Sequence, residues 1–313
     1  MSNNSENKEM KFIVSEENDG ERVDKLISSL SDSMSRSYIQ KLIKDNLVWV
    51  NDKKVKPSSS VSEGDEVKLL IPPSVIPDIV PQNIPLDIIY EDSDVLVINK
   101  PKGMVVHPAP GHYENTLVNG IMYYLGDKLS GINGVMRPGI VHRIDMDTTG
   151  SIIVCKNDIA HRSIADQLKV HSINRIYHAI CYGIIKDDEG TVVGNIGRSA
   201  ADRKKMTVVS DDKGKEAITH YKVLKRFEKD KFTYIECKLE TGRTHQIRVH
   251  MSHIGHPLLG DEVYGSGHKS KFKLQGQTLH AKTLGFIQPT TGEYIETDAP
   301  LPEYFSHLLE ILS

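Results

Sequence analysis

The sequence predicts a mixed α/β (α+β) protein in two parts, a small amino-terminal domain ahead of a larger one. Three observations carry this. The chain has 313 residues, enough for one large buried core and a small second one. Segments of helical spacing are interspersed with short Val/Ile-rich runs along its length. Prolines at positions 72, 73, 77, 81 and 85 punctuate one stretch, and such density stops regular structure and stiffens the chain. Residues 1–19 accordingly read as a flexible polar tail, 20–72 as the first domain, 73–85 as a linker and 86–313 as the second domain.

In the first domain, Arg22-Val23-Asp24-Lys25-Leu26-Ile27 with Leu30 has helical spacing. A second helix runs from Ser35, an N-cap candidate, with Tyr38, Ile39, Leu42 and Ile43 on its apolar side. Asn46 suits a left-handed helix end. Leu47–Val50 is a strand, Asn51-Asp52 a tight turn and Val67–Ile71 a further strand; a strand near Lys11–Val14 precedes them.

In the second domain, the runs from Leu86 and from Val95 flank an acidic turn and predict a hairpin. Thr116–Leu125 and Ile159–Val170 predict helices, Asn174–Gly183 alternates as a strand, and Leu301–Leu312 predicts a closing helix.

With 38% hydrophobic and 26% charged residues, the composition is that of a soluble globular protein. No apolar stretch approaches bilayer length and the polar amino terminus lacks a signal peptide's apolar segment, so a cytoplasmic protein without a membrane partner is expected. Cys155, Cys181 and Cys237 stand apart in apolar runs and are expected as buried, reduced thiols rather than zinc ligands. The net charge of −3 hides two basic patches. Residues 198–251 carry 14 Lys/Arg against 8 Asp/Glu, and residues 36–56 carry 6 against 2. Patches of this kind neutralise phosphates even on an acidic molecule.

The second domain is organised around Val141-His142-Arg143-Ile144-Asp145-Met146-Asp147-Thr148-Thr149-Gly150, which feeds the apolar run Ser151–Cys155. A carboxylate beside an arginine and a histidine, in a polar turn before a strand, is how a fold sets a reactive group at a cleft edge. The same residues also read as an ordinary turn, with carboxylates capping backbone N–H groups and glycine supplying positive φ. Asp145 and Asp147, two apart, further admit a carboxylate pair for glycoside hydrolysis. The histidines at 245, 250, 253 and 256 lack the His-Glu-x-x-His spacing, and Arg243 and Arg248 beside them disfavour a cation, so no metal is expected. Neither a dinucleotide fingerprint nor a phosphate-loop motif occurs, which leaves a chemistry without a nucleotide cofactor.

The stretch from His142 to Gly150 resembles the His-Arg-Leu-Asp-Lys-x-Thr-Ser/Thr-Gly signature of the RluA/RluD family of RNA pseudouridine synthases. Asn99-Lys100-Pro101-Lys102-Gly103 before it and Thr241-Gly242-Arg243-Thr244-His245-Gln246-Ile247-Arg248-Val249-His250 after it extend the likeness. Ile144 and Met146 depart from the usual Leu and Lys, the second removing a positive charge beside Asp145. Residues 20–72 resemble an S4-type RNA-binding domain.

The resemblance implies an S4-type domain before a catalytic domain with a large mixed, mainly antiparallel sheet and a central cleft. It implies isomerisation of uridine to pseudouridine in structured RNA, most plausibly large-subunit ribosomal RNA or its precursor, by a monomer without cofactor. It makes Asp145 the catalytic carboxylate, Arg243 its guanidinium partner and Tyr177 the residue against the target base. Arg143 or His142 would fill the stack left by the extruded base. Arg36, Lys41, Lys44, Arg203, Lys204 and Arg248 are the expected RNA contacts. The competing expectation is a non-catalytic RNA-binding or ribosome-assembly protein in which Asp145 is structural.

Overall fold

A computed structural model describes residues 8–30, 36–71, 79–108, 111–126, 129, 138–202, 205–210, 212–265, 267 and 272–313. The chain forms two compact units, residues 1–77 and 78–313.

The first unit holds β1 (Lys8–Ile13), α1 (Val23–Ser29), α2 (Arg36–Lys44), β2 (Val48–Val50), β3 (Lys53–Lys54) and β4 (Glu66–Ile71). Its four strands form an antiparallel sheet in the order β1-β4-β2-β3. Val23, Leu26 and Ile27 of α1 and Ile39, Leu42 and Ile43 of α2 join Val48, Val67 and Leu69 in one core, as the helical spacing requires. Asn46 ends α2 at φ 59°, and Leu47 N–H closes the helix on the Leu42 carbonyl at 2.9 Å. Asn51 and Asp52 both take positive φ, the backbone of a two-residue hairpin, and pair Val50 with Lys53. The expected tail is shorter than the sequence suggests. Residues 8–13 pair with β4 along its whole length, and Met10 and Phe12 pack on the core.

The second unit holds β5 (Ile88–Glu91), β6 (Val95–Lys100), α3 (Leu117–Leu125), β7 (Thr149–Cys155), α4 (Asp158–Lys169), β8 (Asn174–Tyr182), β9 (Glu189–Val193), β10 (Asn195–Arg198), β11 (Met206–Val209), β12 (Ile218–Phe227), β13 (Phe232–Leu239), α5 (Gln246–His253), β14 (Leu279–Ile287), β15 (Tyr294–Asp298) and α6 (Glu303–Ile311). Nine of its strands form one sheet in the order β5-β6-β7-β14-β8-β13-β12-β9, with β15 paired to β14. Every pairing is antiparallel except β7 with β14. The sheet is therefore mixed and mainly antiparallel.

β7 is buried on both faces, which explains an uninterrupted apolar run where a one-faced strand would alternate. Leu96, Ile98, Ile152 and Val154 face a core shared with α3 and α5, while Val95, Val97, Ile153 and Cys155 face one shared with α4. Gly150 lies at φ 105° with the Ala281 carbonyl where a Cβ would project, so only glycine lets β14 approach here. The three cysteines are buried and free. Among the described residues no helix is long and apolar enough to cross a membrane.

The stretch expected as linker, 73–85, divides. Residues 72–78 lie outside the described residues. Residues 79–85 lie against the second unit: Gln82 N–H donates to the Asn119 carbonyl at 3.0 Å and the Asn119 side chain to the Val80 carbonyl at 2.9 Å. Extended proline-rich backbone leaves its polar groups unpaired, so it serves as readily as a surface strap as a spacer.

Candidate active site

Asp145 sits in the turn before β7, where Thr148 N–H donates to the Asp145 carbonyl at 3.1 Å. The turn is held from beneath by the Asn99-Lys100-Pro101-Lys102-Gly103 segment. Lys100, fully buried, donates from Nζ to the carbonyls of Pro101 (2.7 Å), Met104 (2.9 Å) and Met146 (2.9 Å), and Gly103 N–H also reaches the Met146 carbonyl. Burial pushes the Lys100 ammonium down to about 7, against the pull of Asp147 and Asp145. Its three acceptors match the three N–H bonds of the protonated form.

The guanidinium on Asp145 belongs to Arg248, not Arg243. Arg248 Nη1 donates to Asp145 Oδ2 at 2.9 Å, while Nε and Nη2 grip the two oxygens of Asp261 at 2.6 and 2.9 Å. Asp261 is itself fixed by the N–H groups of Val263 and Tyr264, each 3.0 Å from Oδ1. Burial alone would lower Arg248, but hydrogen bonds and charge from Asp261 and Asp145 outweigh it and hold the group above its ordinary value. Arg248 is only 6% exposed, so its expected role as an RNA contact gives way to an internal one.

Arg243 instead gives its Nε to the Glu216 carbonyl at 2.8 Å and lines the cavity beside Asp145. The two arginines part company because the chain reverses between them. His245 takes φ 58° ahead of α5, and Gln246 fixes the reversal by accepting from Arg243 N–H (2.9 Å) and donating to the Ile218 carbonyl (3.0 Å). Arg248 thus rides on the first turn of a helix, whereas Arg243 stays in the loop.

His245 brings a further group to the site. Its Nε2 lies 3.8 Å from Asp145 Oδ1 and its Nδ1 is 2.8 Å from the Tyr264 hydroxyl. That hydroxyl also accepts from Met206 N–H at 2.9 Å, so Tyr264 ties the His245 ring to the start of β11. Burial lowers His245 below its ordinary value and outweighs the opposing pull of Asp145.

Tyr177, on β8, is 8% exposed. Burial raises its phenol, so the neutral form lines the site. Asp145, Tyr177, Arg143, Arg243, His245 and Arg248 converge on a slot of about 60 Å³, room for about four to six waters. A larger cavity of about 500 Å³ shares Arg143, Asp145, Tyr177, Leu239, Arg243 and His245 with it.

The other expected site residues fall into three groups. Arg143 is exposed at the mouth. His142, offered as a filler of the stack, is tied down: its Nε2 accepts Ile153 N–H at 3.0 Å, and burial, then Arg175, pushes it down to about 3. It anchors β7 as a neutral ring. In the first unit Lys44 is exposed, and α2 carries Arg36 and Lys41, whose side chains fall outside the described residues, as do Arg203 and Lys204 entirely.

Asp147 does not pair with Asp145. It lines neither cavity that Asp145 lines, and its carboxylate fills the space above Gly276. The alternation that would point both carboxylates one way fails because residues 145–148 form a turn, so the hydrolase reading loses its second acid. His250 and His256 are likewise spent on Thr219 and on the Tyr182 carbonyl, at 3.0 and 2.9 Å. Among the described residues no group of three or more potential ligands is placed to hold a metal.

Comparison with known proteins bears on this geometry. The family described as "RNA pseudouridylate synthase" matches residues 94–253, a span that contains Asp145, Tyr177, Arg243 and Arg248. The chain belongs to that family. The S4 domain matches residues 21–67. An uncharacterized RNA pseudouridine synthase of Bacillus subtilis, YlyB, is 52% identical over 301 residues, covering 96% of this chain and 97% of its own. Ribosomal large subunit pseudouridine synthase D of Zymomonas mobilis is 45% identical over 307 residues, covering 96% of each chain. Among solved structures, human RNA pseudouridylate synthase domain containing 1 superposes with a TM-score of 0.57 at 26% identity, over 73% of this chain and 95% of that one. The protein is an RNA pseudouridine synthase, an isomerase with RNA as its substrate, and the reading as a binder without catalysis falls away.

Proposed function

We propose that the enzyme isomerises uridines of large-subunit ribosomal RNA or its precursor, with Asp145 as the catalytic carboxylate, in the cytoplasm, as a monomer and without a nucleotide cofactor. The observation that carries this reading is the setting of Asp145: one oxygen held by Arg248, the other 3.8 Å from His245 Nε2, in a slot that Tyr177 also lines. Relatives named for the large ribosomal subunit, matched over nearly the whole chain, support the substrate.

The reaction breaks the N1–C1′ bond of uridine, turns the uracil and rejoins it through C5, with no net redox change. The protein must supply an oriented carboxylate, a pocket for the detached base and a proton-transfer group. Asp145, fixed by a charge-assisted hydrogen bond, is the first. Whether it adds to C1′, adds to C6 or assists loss of a ribose proton, each route uses its ionised form. Tyr177 lies flat against the base in this reading, and His245, whose Nε2 lies 3.8 Å from Asp145 Oδ1, is the proton-transfer group. A base in a folded loop reaches the slot only after extrusion, and Arg143, exposed where His142 is tied down, fills the vacated stack. The first unit grips structured RNA through the basic side chains of α2 and the β2–β3 hairpin.

The test is direct. Ribosomal RNA from cells with and without the gene, treated with carbodiimide and read by reverse transcription, should differ by loss of one or more stops in the large-subunit RNA. Identical stop patterns would count against the substrate.

A further inference from the structure

Arg175 stands two residues before Tyr177 on β8, so the two side chains leave the strand on the same face, and both line the larger cavity. Arg175 is 7% exposed, yet among the described residues no carboxylate holds it. Nη2 donates to the Glu240 carbonyl at 3.0 Å, and Nε is buried with no partner. Nη1 occupies the space above Gly242, 2.7 Å from where a Cβ would stand, so this glycine of the Thr241-Gly242-Arg243 turn makes room for the guanidinium. Burial lowers Arg175 below its ordinary value, and Arg243 adds to the depression despite the favourable field of Tyr177.

The rest of the wall has the same sign. Arg143, Lys169 and Arg243 line the cavity, and the one carboxylate on it, Asp145, is already bonded to Arg248. A guanidinium kept from water beside another, with a donor unspent, is strongly unfavourable unless an anion completes it. Forked planar donors suit a phosphate oxygen pair better than a point charge.

We propose that this cavity is a phosphodiester site in which Arg175 and Arg243 clamp one backbone phosphate of the RNA, beside the nucleotide presented to Asp145. The clamp rests on the reading of the chain as an enzyme of RNA. It fixes the register of the target strand, so that one linkage near the target uridine contributes more to binding than its neighbours. Arg175 is the buried jaw and Arg243 the half-buried one, its guanidinium held by the Glu216 carbonyl.

The experiment pairs protein and RNA substitutions. Arg175→Gln, Arg175→Lys and Arg243→Gln are each titrated with stem-loops carrying one uncharged methylphosphonate at successive linkages around the target. At one linkage the neutral group should weaken wild-type binding roughly tenfold, the scale of a lost charge-assisted hydrogen bond, and should weaken binding by Arg175→Gln or Arg243→Gln less than about twofold. Arg175→Lys should retain part of the effect. Should Arg175→Gln fail to fold by circular dichroism, Arg243→Gln decides alone. Additive losses at every linkage would overturn the clamp, as would inhibition by inorganic phosphate that Arg175→Gln relieves without any linkage-specific coupling. Conversion of the unmodified stem-loop by the wild type is scored separately. Its absence would count against the enzyme's substrate, whereas the clamp is read from binding.

Discussion

Replacing Arg248 by Met should be far more damaging than replacing Arg243, and for two separable reasons. The first is stability. Arg248 bonds both oxygens of Asp261, whose side chain is fully buried, so Arg248→Met strands a carboxylate with only two backbone N–H partners. Breaking one half of a buried pair costs about 3–5 kcal/mol, a fall in Tm of very roughly 6–20 °C for a unit of this size. The second is turnover. Loss of the bond to Asp145 removes an interaction with a charged group, about 1.5–3 kcal/mol, or on the order of 10- to 150-fold in kcat. Adding Asp261→Asn keeps an acceptor for Val263 and Tyr264 but deletes the stranded charge, so the double variant should recover most of the stability and none of the turnover. Urea denaturation and tritium release from C5-labelled RNA read the two effects. The reasoning is refuted if Arg248→Met unfolds within about 1 kcal/mol of wild type, the range of an exposed pair, or if Asp261→Asn restores kcat.

Other consequences follow from the same geometry. Arg243→Ala should raise KM with a smaller change in kcat, because its guanidinium bonds the Glu216 carbonyl and not Asp145; loss confined to kcat would return it to the role its sequence position suggests. His142 is held near 3 against an ordinary value of 6.5, so the unfolded chain binds the extra proton between those pH values and stability falls as pH drops through that window. The slope is about 1.4 kcal/mol per pH unit for each such histidine, and His142→Asn should flatten it in urea titrations at pH 4–6.5. Lys100, held near 7, sets the opposite end: the unfolded chain keeps a proton that the folded one loses from pH 7 to about 10.5, so its burial penalty shrinks as pH rises. Lys100→Met should remove this dependence and, by freeing the Met146 carbonyl, lower kcat without altering RNA affinity.

Much of the fold was legible because its signals are local. Asn46 and Asn51-Asp52 behave as predicted, and Val23, Leu26 and Ile27 of α1, Ile39, Leu42 and Ile43 of α2 and Ile164 of α4 are buried as their spacing predicts, while Leu30, at the end of α1, is exposed. Asp145 stands out through its motif and Tyr177 only through the family resemblance, and the structure brings them to one slot. What stayed hidden depends on partners distant in sequence. Gln246–His253 buries the polar Gln246, Arg248 and His250 alongside Ile247, Val249 and Met251, so no amphipathic stripe announces the helix. Without the helix, Arg243 and Arg248 look equivalent. The burial of Lys100 is equally non-local, since one of its acceptors, the Met146 carbonyl, lies 46 residues on. The strand expected near Lys11–Val14 starts earlier, at Lys8, because the strand it pairs with lies more than fifty residues away and gives no local sign of that start.

The central claim is that the Asp145 carboxylate does the chemistry. Asp145→Asn preserves size and can still accept from Arg248, so folding and RNA affinity should stay within about twofold of wild type, within the range of a near-neutral substitution. Single-turnover tritium release by that variant should be undetectable. Release at a rate near wild type would contradict the account and leave Asp145 a structural anchor of the turn before β7.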